Sequence, residues 1–509
     1  MKGKNARARI LAAALLAGIL AGCGNQPAQS QPGSSTPASS PEAVSTPSGP
    51  DLSEPVDLTW YIYDANYEDE GKVLDAMNEI LRDKINAAVT INRIAPGDYE
   101  SKMGIMINSQ EEFDVCFTSN WKLLYADYAL KDAFVDITDL LPELAPDLWS
   151  SMSEEVWNGA RVNGRIYGVI NQQIQARAAG YVVKKEYYEE YGGDQITDFS
   201  TLADFMIRVK EGEAAKGNDH NNLSSPSNWL YDYQQTVGWE TLGSLLLPGV
   251  ASAEEAHPQV FNQYDTDEFR QIIDAKARLQ MAGVIDADIL TSSTPFDYSR
   301  MIANFGNIGI STDEEYARIA GWDSAVVIRP GKSYLTTNGC TSTMNAISTT
   351  SKHPERAMML LELMNTDHDL FCLAAYGIQG LHYDLVRDNQ YQWVEGTQYK
   401  GTDWKLGNTF IGLAPASGRA NILEETRKFN ESAVPSSLLG FNYDSTEMAT
   451  EVANILAIVN ERTPLFYAGM YAENTQAEYE KFLDELKNAG SEKVMADMQK
   501  QIDAFIASK

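Results

Sequence analysis

The chain has 509 residues, 44% hydrophobic and 10% aromatic, with a formal charge of −31. That apolar content builds a globular body, and a chain of this length needs more than one hydrophobic core. So acidic a composition argues against nucleic acid and against adsorption to anionic lipid, because both need a basic footprint.

Lys2, Lys4, Arg7 and Arg9 form a positive start, followed by an apolar run from Ile10 to Leu20. That run is about half of the ~20 residues a bilayer-spanning helix needs, so it reads as a targeting signal. It ends in Leu20-Ala21-Gly22-Cys23, which is similar to the lipobox of bacterial lipoproteins. A signal peptide over 1–22, cleavage before Cys23 and lipid on the Cys23 thiol are therefore expected, two acyl chains being enough for stable anchoring to the cell membrane. Residues 24–50 are mostly Ser, Pro, Gln, Ala and Thr, with Glu42 as their one charge. Such composition cannot seed a core, so 23–54 is expected to be a disordered tether between lipid and a body that begins near Pro55.

Within the body, Val56–Tyr63 reads as a strand, and Val73, Met77, Ile80 and Leu81 mark one face of a helix. Ala88–Ile94 is a second strand, Tyr99–Ile107 a second helix and Phe113–Thr118 a short buried strand. This alternation predicts a parallel sheet with right-handed crossovers, whose ligands lie at the carboxyl ends of the strands. Those ends are Tyr61–Asp64 and Ser119–Trp121. Arg165–Ile170 is a further predicted strand, running into Asn171-Gln172-Gln173, and Tyr181–Val183 another. Helices are predicted at Lys184–Tyr191, after a cap in Thr197–Ser200, and around Phe269, Ile272, Ile273 and Ala277. Asn307–Ser311 and Ala325–Ile328 read as strands, Pro354 opens a helix through Met364, and the chain is mostly helical from Thr446. There is no internal repeat. Besides Cys23 the cysteines are Cys116 and Cys340, in strand-like runs, and Cys372, in a helical one; so odd and sparse a set implies buried thiols, not a disulfide framework.

Several of these segments together carry a resemblance. Leu58-Thr59-Trp60, Gly97-Asp98-Tyr99, Glu112-Phe113-Asp114-Val115 before Thr118-Ser119, Val162-Asn163-Gly164-Arg165-Ile166-Tyr167-Gly168-Val169, and Lys352-His353-Pro354-Glu355 are similar, in order and spacing, to the family 1 extracellular solute-binding proteins of ABC sugar importers. Tyr376-Gly377-Ile378-Gln379-Gly380-Leu381-His382-Tyr383 and Val434-Pro435-Ser436-Ser437-Leu438-Leu439-Gly440-Phe441 resemble the lipoprotein branch of Firmicutes, and the similarity runs from Asp57 to Gln501. The resemblance implies an α/β, two-lobe periplasmic-binding-protein-like fold (type II) with a ligand cleft between lobes. It implies crossings near 171–176, 300–305 and 345–348, with 55–172 and 305–346 as lobe one and 173–304 and 347–509 as lobe two. It further implies a monomer that delivers its ligand to ABC permease subunits in the membrane, without a cofactor of its own.

The expected ligand is a carbohydrate, an oligosaccharide by the resemblance. Aromatic side chains bury the C–H faces of sugar rings, while carboxylates, amides and Arg fix the hydroxyls. Tyr63 and Asp64 end the first strand; alternate residues of a strand face opposite sides, so Trp60 is as readily core. Ser119, Asn120 and Trp121 follow the third strand, and Asn171 and Gln173 sit at the first expected crossing. Trp229 and Trp239 lie in an Asn/Ser-rich stretch, Trp322, Tyr334 and Asn338 near the return to lobe one, and Arg419 in a loop of small residues. Two other readings stay open here: a cell-surface glycoside-acting enzyme, which needs a carboxylate pair ~5–9.5 Å apart, and a receptor for another solute such as a peptide. The five histidines show no metal-ligand spacing, and Gly331-Lys332-Ser333 lacks the glycine loop of a nucleotide site.

Overall fold

The computed structural model describes residues 51–176, 178–218, 229–291 and 297–509. The expected signal peptide, Cys23 and most of the tether lie outside them. Among the described residues no helix is long and apolar enough to cross a membrane.

The first α/β unit follows the sequence pattern closely. β1 (Val56–Tyr63), α1 (Glu70–Ile85), β2 (Ala87–Ile94), α2 (Tyr99–Asn108) and β3 (Val115–Thr118) come in the expected order. Leu58, Trp60 and Ile62 of β1 are buried at every second position, and Val73, Met77, Leu81 and Ile85 bury one stripe of α1. β1 runs parallel to β2 on one side and β3 on the other. The sheet then departs from expectation: Met344–Ile347 pairs antiparallel with β3, and Val169–Ile170 pairs antiparallel with Met344–Ile347. The predicted strand Arg165–Ile170 is divided. Asn163 and Gly164 both take positive φ, 50° and 79°, and close a two-residue hairpin turn between Arg161–Val162 and Arg165–Ile166. Only Val169–Ile170 is left for the main sheet.

A second sheet has Ala179–Lys184 at its centre, flanked antiparallel by Ala303–Asn307 and Ala325–Ile328. Gly180 lies opposite Gly306, and a Cβ at Gly180 would come within 2.5 Å of nothing but the Ile328 carbonyl, at 2.4 Å. On its other side Ala179–Lys184 pairs with Ala303–Asn307, whose residues are poor strand formers alone, so the strand lies N-terminal to the predicted Asn307–Ser311. Cys340 is likewise not in a strand. Thr336 accepts the Gly339 N–H and caps a short helix, Thr337–Cys340. Cys116, Cys340 and Cys372 are all buried, and burial pushes the Cys372 thiol up to about 12.

Two large hydrophobic cores result, one around Trp60, Phe117, Tyr125 and Trp157, the other around Trp229, Phe269, Phe305, Phe466 and Phe482. The second is covered by the helices Phe199–Ala215, Asp267–Met281, Ala449–Tyr467, Thr475–Asn488 and Ser491–Ser508. The expected division of the chain needs correction at two places. Ala303–Asn307 and Ala325–Ile328, expected mainly in lobe one, complete the second sheet by pairing with Ala179–Lys184. The helices Pro354–Thr366 and His368–Tyr376, expected in lobe two, pack on α1 and in the first core, because the sheet of β1–β3 needs its face covered and their buried residues Ala357, Leu360, Leu361, Met364, Phe371 and Ala375 cover it. The chain passes between the cores over 170–179, 328–335 and 413–438, so the second and third crossings lie beyond the expected 300–305 and 345–348.

One buried amide joins these parts. Asn345 is 1% exposed. Its Oδ1 accepts the Trp60 indole N–H at 3.0 Å, and its Nδ2 donates to Asn171 Oδ1 at 2.9 Å and to the Lys405 carbonyl at 3.0 Å. Asn171 in turn donates to the Trp404 carbonyl at 3.1 Å. Asn345→Ala leaves the Trp60 N–H without an acceptor in a dry interior, so a loss of about 2–4 kcal/mol is expected in urea unfolding; a loss below 1 kcal/mol, about one ordinary hydrogen bond, would show that the amide is not a structural hub.

Candidate functional site

Because β1, β2 and β3 are parallel, their carboxyl ends open on one edge of the sheet, and the side chains just past them gather there. Past β3 the chain turns sharply: Ser119 Oγ accepts the N–H groups of Trp121 and Lys122, at 3.2 and 2.8 Å, and donates to the Lys122 carbonyl. The turn projects Trp121 outwards, 40% exposed, while its indole N–H is tied to the Ser342 carbonyl at 2.8 Å. The ring is thus held at its polar edge.

Tyr63 meets the Trp121 ring edge-on at 5.5 Å, and Trp404 lies beside Trp121 at 6.4 Å and 48°. Phe117 backs both indoles, at 6.2 and 6.1 Å. Trp404 stands on a short turn, Asp403–Lys405, whose backbone carbonyls are those gripped by Asn171 and Asn345. The Lys405 ammonium runs beneath the rings, 4.9 Å from the centroids of both Tyr63 and Trp404, and meets Asp64 at 3.3 Å. Asp64 also accepts from Arg93 and from the Tyr67 hydroxyl, both at 2.9 Å, and Arg93 reaches Glu70 at 2.5 Å. Burial holds the Lys405 ammonium below the usual lysine range, partly offset by Asp64, and pushes the Tyr67 phenol up to about 12. This is a compensated ionic floor beneath an aromatic wall.

Two cavities flank the Trp121–Trp404 pair, the first between the two large cores and the second between the first core and a small cluster that holds Ala178 and Ile308. The first, about 460 Å³, runs from Asn120, Trp121 and Asp127 of the first core to Tyr231, Leu247 and Tyr443 beside the second. The second, about 380 Å³, lies between Asp403, Trp404 and Phe410 on one side and Asn307, Ile308 and Thr312 on the other, with Gln173 at the crossing. Each falls in the ~300–1,000 Å³ range of small-molecule sites. Among the described residues no group of three or more His, Cys, Asp or Glu is placed to hold a metal ion.

The expected site residues divide sharply. Tyr63, Asp64, Ser119, Asn120 and Trp121 do converge, although the acceptor positions of Asp64 and the Ser119 hydroxyl are taken up inside the protein. Asn171 is buried in the Asn345 network, while Gln173 lines the second cavity and donates to Thr343 at 2.8 Å. Asn338 lines the first cavity and donates to Thr241. The others need correction. Trp229 is fully buried, stacked on Phe199 at 5.4 Å with the Lys276 ammonium 3.7 Å from its ring, because the supposedly irregular stretch becomes a helix from Trp229 to Val237 with an inward face. Trp239 packs edge-on against Tyr233 and Phe261 and lines neither cavity. Trp322 belongs to a small cluster with Val182 and Ile308, and Tyr334 is buried with its hydroxyl on Glu254 at 2.6 Å. Arg419 is occupied by Glu314, Asp313 and Glu425. Sequence reading missed Trp404 and its neighbours Asp403 and Lys405. The signal was present in Gly401-Thr402-Asp403-Trp404-Lys405-Leu406-Gly407, an aromatic between opposite charges in a loop framed by glycines.

This fold is that of the two-lobe solute-binding proteins. A carbohydrate ABC transporter substrate-binding protein of Streptococcus pneumoniae is 27% identical over 463 residues, covering 86% of this chain and 88% of the relative. The crystal structure of the N-glycan transport solute-binding protein NgtS of the same organism matches with a TM-score of 0.75 at 23% identity, over 89% of this chain and 99% of that one. NgtS in complex with Man1GlcNAc matches at 0.70, again with 23% identity, over 89% and 100%. Residues 437–507 match a domain of unknown function, DUF3502. The resemblance to extracellular solute-binding proteins of sugar importers, drawn above from motifs, is borne out by this relative and this fold.

Lys405→Met leaves Asp64 facing Arg93 and Tyr67 alone, so the loss is smaller than for an isolated buried pair. A decrease of about 1–3 kcal/mol in unfolding free energy is expected; an unchanged urea midpoint would contradict the ionic floor described here.

Proposed function

We propose that this protein is the substrate-binding component of an ABC transporter, capturing an oligosaccharide between its lobes and passing it to a membrane permease. The observation that carries the reading is the Trp121–Trp404 wall between two cavities, the first of them bounded by both large cores. Neighbouring, mutually tilted indoles match the apolar faces of pyranose rings, and amides and carboxylates at the margins, Asn120, Gln173, Asn338 and Asp403, match their hydroxyls. The Trp121 ring, tied to the Ser342 carbonyl, and the Trp404 backbone, held by Asn171 and Asn345, lose little freedom when a ligand arrives. The names of the relatives support a carbohydrate, and their role supports capture and release of the ligand unaltered. The reading is of a receptor, not an enzyme, and of a monomer.

We further infer anchoring at the extracytoplasmic face of the cell membrane, by lipid on Cys23 and a tether of Ser- and Pro-rich chain. Cells fed labelled palmitate should mark the protein, and Cys23→Ala should abolish the label and release the protein from the membrane fraction.

For the site, a melting-temperature screen of the full chain in mild detergent against oligosaccharides is expected to yield stabilising ligands, because a ligand that binds only the folded form raises its stability. Trp121→Ala and Trp404→Ala are each expected to weaken the binding of such a ligand by about tenfold or more, with unchanged circular dichroism. Wild-type affinity in both variants would remove the aromatic wall from the site.

A further inference from the structure

Beyond Trp404 the seam between the first core and the small cluster of Ala178 and Ile308 runs on into a third cavity. Its volume is about 790 Å³, again within the ~300–1,000 Å³ range of small-molecule sites. Ser311 and Glu315 line both this cavity and the one beside Trp404, so the two adjoin.

One wall is a hairpin. Tyr383–Arg387 pairs antiparallel with Gln390–Trp393 across Asp388 and Asn389, the latter at φ 54°. Alternation along the second strand puts Tyr391 and Trp393 on one face. Tyr391 rests on Tyr376 of the first core at 4.6 Å, and Trp393 meets Tyr391 edge-on at 5.1 Å and 79°. Both rings are only partly buried, and both line the cavity. Burial, with a smaller push from the Asp403 carboxyl, raises the Tyr391 phenol to about 12, which sets Tyr391 near the turn that carries Trp404.

The other wall is the helix Thr312–Ala320, whose Tyr316 and Ala317 pack in the small cluster. Its Glu315 and Arg318 are exposed and line the same cavity, as does the exposed amide of Gln392. An aromatic pair with a carboxylate, a guanidinium and an amide in one cavity supplies what a sugar residue needs. The rings take its C–H face, and the polar groups offer directional donors and acceptors to its hydroxyls.

We propose that this third cavity is a distal sugar-binding site, and that the cleft takes an oligosaccharide long enough to run from Trp404 to Trp393. A disaccharide held at Trp404 leaves the distal site empty, whereas a longer chain gains the Tyr391–Trp393 face and the polar groups around it. Trp393 and Arg318, one on each wall, then set the preference for chain length. The proposal rests on the oligosaccharide reading above and adds the length of the ligand to it.

The test is calorimetric titration of the full chain in mild detergent with di-, tetra- and hexasaccharides derived from cellulose, starch, mannan and chitin. In a series that binds, affinity is expected to rise by about tenfold or more from disaccharide to hexasaccharide. Trp393→Ala should cut that gain to about threefold or less. Arg318→Ala, a change at an exposed position on the facing helix, should cut it by about threefold and keeps the test open if Trp393→Ala does not fold. A hexasaccharide that binds no better than its disaccharide, or the full gain in every folded variant, would overturn the distal site and leave the oligosaccharide reading standing. Binding of no probe in any series would overturn that reading and this proposal with it.

Discussion

A single buried side chain, Asn345, sets the geometry on which the candidate site depends. It lies on the strand by which the chain re-enters the first sheet, and its amide satisfies groups from three distant segments: Trp60 in the core, Asn171 at the first crossing, and the Lys405 carbonyl beneath the aromatic wall. Each of these would otherwise be a polar group without a partner in a dry interior, which costs more than an average hydrogen bond gains. The network therefore tolerates one arrangement. It couples the place where the lobes join to the turn that carries Trp404.

From that constraint follows the layering of the site. The rings of Tyr63, Trp121 and Trp404 are open on one side, and beneath them the Asp64, Lys405, Arg93 and Glu70 charges compensate one another. An ionic cluster so enclosed is a poor source of stability in itself, because desolvation offsets much of the attraction. Its use is geometric. An ammonium 4.9 Å from the centroids of Tyr63 and Trp404 holds both rings from one side.

Not every buried group fits this scheme. Lys276 is fully buried, its side-chain nitrogen rests over Trp229 with no hydrogen-bond partner among the described residues, and burial holds it well below the ordinary lysine range. A neutral amine over an indole costs far less to bury than a charged one. The pair explains why Trp229, an aromatic well suited to a sugar ring, serves as the centre of the second core.

Local pattern by itself determined the first α/β unit. The alternation of Leu58, Trp60 and Ile62 and the stripe of Val73, Met77 and Leu81 are written in neighbouring residues, and parallel order follows from their spacing. The strand-end rule then found Tyr63 and Trp121, since that rule needs only the order of elements. Tertiary structure decided the rest. Whether Trp229 and Tyr334 face a cleft or a core depends on which helix or strand covers them, and nothing within a few residues of either specifies that. Ala303–Asn307 is a strand through its pairing with the distant Ala179–Lys184, and the turn that carries Trp404 is held by two asparagines, 171 and 345, from afar. Contacts between residues more than a hundred positions apart leave no period in the sequence, and here they assemble the wall that would meet a ligand.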